Sequence, residues 1–243
     1  MRHLLALVLF AAASPAAAQA VYQFEKGEAV EVGRSSAYLL FRTDARLMES
    51  WYEFVLVRED EAGEAAAAAP PRLRAAGSQP NVVRTDSGDL FDKSQSERFF
   101  LIAVPAGSYV VAAITYKRMP NIGTCLCMGT VRFEARAGAV TDLGYFLAAL
   151  EEKPTAIPEL AGFTDPATKY RMSPALAAMT VRPPVPGMPL PNGLEHAPIV
   201  AADYRAVGKF PNYFHTMINR MAPVRGVLAY DLDRAIDLKA GPR

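Results

Sequence analysis

The stretch Phe99-Phe100-Leu101-Ile102-Ala103-Val104, Pro105-Ala106-Gly107, Ser108-Tyr109-Val110-Val111-Ala112-Ala113-Ile114-Thr115-Tyr116 is two apolar runs separated by a three-residue turn. Each run is rich in β-branched and aromatic side chains, the residues that fit a pleated and half-buried surface. Proline presets φ at the turn and glycine supplies a positive φ, so the pattern predicts two strands folding back as a hairpin. A loop over residues 119–123 follows. Then Gly129-Thr130-Val131-Arg132-Phe133-Glu134-Ala135 alternates, with Val131, Phe133 and Ala135 on one side and Arg132 and Glu134 on the other. Ala137-Gly138 turns the chain into Val140-Thr141-Asp142-Leu143-Gly144-Tyr145-Phe146, which reads as a second hairpin. Two consecutive hairpins of alternating polarity predict a mainly β chain, built as an antiparallel β-sandwich over residues 21–150.

Upstream, Tyr38-Leu39-Leu40-Phe41-Arg42 and Tyr52-Glu53-Phe54-Val55-Leu56-Val57-Arg58 are further strand runs. The second alternates Tyr52, Phe54 and Leu56 against Glu53, Val55 and Val57. Between residues 60 and 80 the chain turns to low complexity, with five alanines at 65–69, then Pro70-Pro71 and Gly77-Ser78-Gln79-Pro80. That composition predicts a mobile insertion between strands. Prolines gather after residue 153 and set off residues 151–243 as a proline-rich, partly irregular C-terminal extension packed on the sandwich. Within it Val181-Arg182-Pro183-Pro184-Val185-Pro186-Gly187-Met188-Pro189-Leu190-Pro191 predicts extended polyproline-like chain, a linker or else a docking arm. Asn192-Gly193 marks a tight turn, and residues 226–230 and 233–238 predict two short strands around a turn at Asp231.

The run Pro105-Ala106-Gly107-Ser108-Tyr109-Val110-Val111, then Gly129-Thr130-Val131-Arg132-Phe133-Glu134-Ala135-Arg136-Ala137-Gly138, then Val140-Thr141-Asp142-Leu143-Gly144-Tyr145-Phe146 resembles the turn-and-strand pattern of prealbumin-like sandwich modules in uncharacterised bacterial exported proteins. The resemblance covers about fifty residues. It implies a fold and carries no activity with it.

The first twenty residues predict export. Met1-Arg2-His3 is a short basic start, residues 4–13 are uncharged and apolar, and Ala18-Gln19-Ala20 fits a cleavage site before Val21. The apolar run is about half the roughly 20 residues a spanning helix needs. No cysteine near the cleavage site offers a lipid attachment point, and no later segment is long and apolar enough to span as a helix. The expectation is a periplasmic or envelope protein, soluble once processed. Lys plus Arg falls from 26 to 25 with the loss of Arg2, matching the 25 Asp plus Glu. A formal net charge of zero disfavours nucleic acid or an anionic membrane surface as partner, since both need a basic excess.

Both cysteines lie in Cys125-Leu126-Cys127-Met128. In an extended strand, residues two apart are separated by about 6.6 Å, so a disulfide needs a bend, which the flanking Gly123 and Gly129 permit. Three readings stay open: a small disulfide loop, favoured by an oxidising compartment; two free thiols; or a soft-metal site in which Cys125, Cys127 and Met128 hold Cu(I). Asp86-Ser87-Gly88 matches the D-[ST]-G pattern of aspartic proteases, but it has polar flanks and no second copy to pair with, so it reads as a turn. There is no G-x-S-x-G, no metal-binding histidine spacing and no phosphate-cradling glycine loop. A hydrolase would need His196 or His215, the two histidines beyond the leader. Tyr204, Arg205, Lys209, Phe210, Tyr213 and Phe214 form an aromatic and basic cluster, read either as a packed loop or as a recognition surface. Taken together, the residues predict a non-catalytic binding or structural module with no cofactor, whose partner is an envelope protein or glycan. A copper or redox protein is the runner-up and a hydrolase the third reading.

Overall fold

The computed structural model describes residues 21–44, 52–59, 82–84, 91–94, 96–116, 119–149, 157–160 and 178–241. The leader predicted at residues 1–20, the alanine-rich insertion and Asp86-Ser87-Gly88 lie outside the described residues. The fold is mainly β, two packed sheets with a short hairpin beside them, as the strand patterning predicts.

The first sheet runs β1 (Tyr22–Gln23), β6 (Glu97–Pro105), β2 (Ser36–Asp44), β10 (Val140–Ala149) and β11 (Ala178–Arg182). β5 (Asp92–Lys93) also pairs with β6, and β12 (Ile199–Ala201) with β10. The second sheet runs β13 (Arg205–Val207), β9 (Thr130–Ala135), β7 (Gly107–Tyr116), β3 (Tyr52–Arg58) and β4 (Val82–Arg84). β8 (Met119–Cys125) joins it on β7, and β14 (Met217–Ile218) joins on β8. β15 (Leu228–Asp231) and β16 (Arg234–Asp237) form the separate hairpin.

The inner faces meet in one apolar core containing Leu39, Phe41, Phe54, Leu56, Phe100, Ile102, Tyr109, Val111, Val131, Phe133 and Phe146. Phe41 lies among other rings, stacked on Phe100 at 4.9 Å and Phe146 at 4.8 Å and edge-on to Phe54. Such aromatic pairs add to the burial of each ring. The outer faces are covered too. Tyr38, Leu40, Leu101 and Val140 of the first sheet pack under Phe24, Phe91 and Leu194. Val55, Val57, Val110 and Ala112 of the second pack with Cys125 and Cys127 under Val207 and Phe210. That is why the strands read as nearly continuous apolar runs: β2 is buried at every residue from Ala37 to Thr43.

Four expectations change. Neither predicted hairpin is one. β6 pairs with β2 over nine positions, from Ser36↔Pro105 to Asp44↔Glu97, whereas β7 belongs to the other sheet. β9 and β10 are likewise divided between the two sheets. The turns at 105–107 and 137–138 are corners between sheets, so Phe100, Ile102 and Val104 face Tyr109 and Val111 across the core. The Tyr109 hydroxyl fixes the first corner by donating to the Pro105 carbonyl at 2.8 Å. The supposed loop over 119–123 is strand, and it pairs antiparallel with β7. The pairing is mainly antiparallel, but β2·β10, β10·β12 and β8·β14 run parallel.

The sandwich also extends past residue 150, because the C-terminal region supplies β11 and β12 to one sheet and β13 and β14 to the other. Its proline-rich stretch is no continuous polyproline helix. Met188 N–H donates to the Val185 carbonyl at 3.3 Å, with Pro186-Gly187 at the centre of a β-turn and Gly187 at φ +83°. Proline then glycine at those positions is the type II pattern.

Candidate functional site

The Cys125–Cys127 segment sits where β8 ends and the chain turns through Leu126 to Gly129, closed by Gly129 N–H donating to the Leu126 carbonyl at 3.2 Å. The bend draws the two Cα atoms to 5.2 Å and brings the sulfurs into contact. That separation lies inside the 4.4–6.8 Å that disulfides span. Both side chains are buried in the apolar layer over the second sheet, among Val55, Val110, Ala112, Val207 and Phe210. Met128 is half-buried one residue on. Among the described residues, no group of three or more His, Cys, Asp or Glu is clustered as metal ligands would be.

The C-terminal chain is stitched directly onto this segment. Asn219 N–H donates to the Cys125 carbonyl at 2.8 Å and Phe210 N–H to the Cys127 carbonyl at 3.0 Å. Met128 N–H donates to the Asn219 carbonyl at 3.0 Å, and Met221 N–H to the Gly129 carbonyl at 2.8 Å. Beside them β14 pairs Met217 with Thr124 and Ile218 with Cys125. Backbone groups buried in this way require partners, and here the irregular chain and the cysteine turn satisfy one another.

The aromatic and basic cluster is spread over several layers. Tyr204 is fully buried in the main core, edge-on to Phe133, with its hydroxyl donating to the Leu143 carbonyl at 2.8 Å. Burial pushes its phenol well above the usual range. Phe210 is buried over the cysteines, and Tyr213 and Phe214 pack half-buried beside it. A recognition surface on this stretch therefore does not include the rings of Tyr204 and Phe210, whose apolar area is spent inside the fold. The two basic residues brace the β15–β16 hairpin: Arg205 Nε donates to Asp237 Oδ2 at 2.8 Å, and the Lys209 ammonium pairs with the Asp233 carboxylate. That hydrogen bond and the lysine charge hold the Asp233 carboxyl below its ordinary value.

The tip of that hairpin carries a residue that the sequence reading passed over. Leu232 is 89% exposed and stands at φ +55°. A left-handed backbone is uncommon for a non-glycine residue and costs an L-residue about 1–2 kcal/mol. Arg220 Nη1 donates to the Leu232 carbonyl at 2.8 Å while its guanidinium lies 4.4 Å from the Tyr230 ring centre. Tyr230 in turn donates to the Met221 carbonyl at 2.8 Å. Asp231 pairs with Arg234 across the last rung, at 3.1 Å. The signal in the sequence is Asp231-Leu232-Asp233, a leucine where a two-residue turn favours Gly, Asn or Asp.

A second charged cluster crosses the outer face of the first sheet. Arg42 is fully buried and forks onto Asp142, with Nη1 to Oδ1 at 2.7 Å and Nη2 to Oδ2 at 3.0 Å. Nη2 also reaches the Pro189 carbonyl at 3.1 Å, which pins the proline-rich loop to the sheet. Phe99, Arg42, Tyr145 and Arg182 are register partners on four neighbouring strands. The Arg42 guanidinium lies 5.7 Å and 5.8 Å from the Phe99 and Tyr145 ring centres. Burial, together with a hydrogen bond to Glu97, pushes the Tyr145 phenol up to about 12. Arg182 pairs with Glu159, which lowers that carboxyl. Gly144 closes the cluster: its N–H donates to Asp142 Oδ1 at 2.8 Å. A Cβ there would stand 2.2 Å from the Arg182 carbonyl oxygen. Both guanidinium groups in this set are paired with a carboxylate within the fold, and the buried pair fixes the proline-rich loop.

The two histidines do not converge. His196 stands in an exposed turn between Leu194 and Ala197, which pack over the first sheet. His215 is exposed beside Phe214, which packs over the second. The sandwich separates them. No helix among the described residues is long and apolar enough to cross a membrane. No family model, curated protein or solved structure matches this chain.

Proposed function

We propose that the protein is a non-catalytic module of the periplasm or cell envelope that binds or braces another envelope protein through the tip of the β15–β16 hairpin. The observation that carries this reading is Leu232, an apolar side chain held almost wholly in solvent on a backbone conformation it disfavours. Strain of that kind persists only where the surroundings enforce it. Arg220 and Lys209 supply the enforcement by gripping the Leu232 carbonyl and the Asp233 carboxylate. A pre-organised knob loses little freedom on binding, which favours affinity from a small contact. A protein pocket suits an aliphatic knob better than a glycan, which calls for open aromatic faces, and the Tyr230 ring lies beneath Arg220.

The export reading rests on residues 1–20. In the oxidising compartment it implies, Cys125 and Cys127 are joined as a disulfide, in keeping with their 5.2 Å Cα separation. The likeness of the 105–146 run to prealbumin-like modules fits a scaffold role, and the reading calls for no cofactor. The test is a photo-crosslinking residue placed at 232, with a second at the exposed position 225 as control, in protein expressed in its own envelope. The expected result is one discrete envelope-protein adduct at 232, absent at 225 and competed away by excess unmodified protein but not by the Leu232→Gly form. Equal labelling at both positions, adducts only to glycan, or full-length unprocessed protein retained in the cytoplasm would each overturn the reading.

A further inference from the structure

The five residues from Cys125 to Gly129 exchange four backbone hydrogen bonds with residues 210–221, and these bonds, beside the β14·β8 pairing, hold the outer cover on the second sheet. Their alignment depends on the bend of the cysteine segment. A flat strand would place the Cys125 and Cys127 Cα atoms about 6.6 Å apart, and here they are 5.2 Å apart. We propose that the Cys125–Cys127 bond is a redox-sensitive latch: oxidised, it holds the bend onto which residues 210–221 dock, and reduced, it releases them. The latch rests on the disulfide assigned under the proposed function.

The chemistry is thiol–disulfide exchange with a dithiol reductant. One thiolate of the dithiol attacks a cysteine sulfur, the S–S bond breaks, and the departing cysteine thiolate takes up a proton. The second thiolate of the dithiol then displaces the other cysteine from the mixed disulfide. Two electrons and two protons pass to the protein, leaving two Cys thiols and an oxidised cyclic dithiol. Two unbonded sulfurs must move apart to van der Waals distance inside a closely packed layer, and the chain between them relaxes toward the extended form. The Cys125 and Cys127 carbonyls then no longer meet Asn219 and Phe210 together. The coupling is reciprocal: both sulfurs are buried beneath Val207 and Phe210, so the docked cover shields the bond it depends on. Reduction proceeds through the opened form.

Releasing the cover would also shift the support of the hairpin, because Lys209 and Arg220 are carried on the same segment as Phe210 and Asn219. The redox state of two buried sulfurs would in this way govern how rigidly Leu232 is presented on the far side of the cover.

The experiment uses the intact protein isolated from its native compartment. Alkylation without reduction, read by mass, first counts the thiols. Amide hydrogen exchange is then followed at Met128, Phe210, Asn219 and Met221, before and after dithiothreitol, and in a Cys125→Ala/Cys127→Ala form. The latch predicts exchange about tenfold faster or more at these four amides in both the reduced and the substituted protein. Amides of the β2·β6 register keep their protection. Phe210→Ala is expected to speed reduction of the bond by a similar factor. Free thiols in the isolated protein would overturn the disulfide and the latch with it. Bonded cysteines with unchanged exchange on reduction would overturn the latch alone. Loss of protection throughout the core on reduction would make the bond a staple of the whole fold, and would also overturn the latch.

Discussion

Replacing Leu232 with glycine separates a residue kept for contact from one kept for stability. Glycine relieves the left-handed backbone, worth about 1–2 kcal/mol. Its greater freedom in the unfolded chain takes back about 0.5–1 kcal/mol. Complete burial of a leucine is worth roughly 1.5–3 kcal/mol, and with Leu232 89% exposed only about a tenth of that is lost. The sum is a protein as stable as the parent or more stable by up to about 1 kcal/mol, a rise in Tm of at most about 2–4 °C for a domain of this size. Urea denaturation with the slope held common and a thermal melt both read it. Leu232→Asn, which also tolerates the left-handed region, should behave in the same way. Leu39→Ala in the main core should instead cost about 2–5 kcal/mol. If Leu232→Gly destabilises by more than about 1 kcal/mol, the leucine is a packing residue and the reasoning from exposure and strain fails.

Asp142→Ala leaves the Arg42 guanidinium buried without its counter-charge and should cost about 3–5 kcal/mol in urea denaturation. Arg42→Met/Asp142→Leu should recover most of that loss, and a double substitution as unstable as the single one would refute the assignment. Lys209→Met should raise the Asp233 carboxyl from its lowered position toward its ordinary value, read by carboxyl carbon chemical shift against pH. Because the folded value is the lower one, what the pair adds to the hairpin is fully present above the unfolded value and lost as pH falls through the folded one. The grip on the tip should therefore not change between neutral pH and about pH 5.

Most strands were legible in the sequence because burial on both faces makes them long apolar runs, and β2, β3, β6, β7 and β10 stand out this way, whereas β9 shows by alternation. Partnership was not. Pro105-Ala106-Gly107 reverses the chain equally well into a hairpin or across to a facing sheet, and only the nine-position match of β6 to β2 decides between them. β8 was hidden because Pro120, Asn121 and Gly123 are poor strand formers. It forms because β7 and β14 pair with it from either side. The cysteine spacing did point to a bend, yet the chain that docks on it is irregular and has no periodicity to find. Tyr204 and Phe210 show the limit for aromatic clusters, since a packed loop and a recognition face share one composition. Leu232 was out of reach for another reason: its conformation is imposed by Arg220 and Lys209, which approach only in the finished fold.

β10 sits centrally in the first sheet, with β2, about a hundred residues before it, on one edge and β11 and β12, from the last third of the chain, on the other. Few of these contacts are local, and folding of such topologies is slow because distant segments must be brought together before any reward is collected. A ribosome delivers β2 and β6 long before β11 to β14 exist, so both sheets stay incomplete until those later strands follow. Until they do, the uncovered strand edges are the kind of surface on which incomplete β proteins associate.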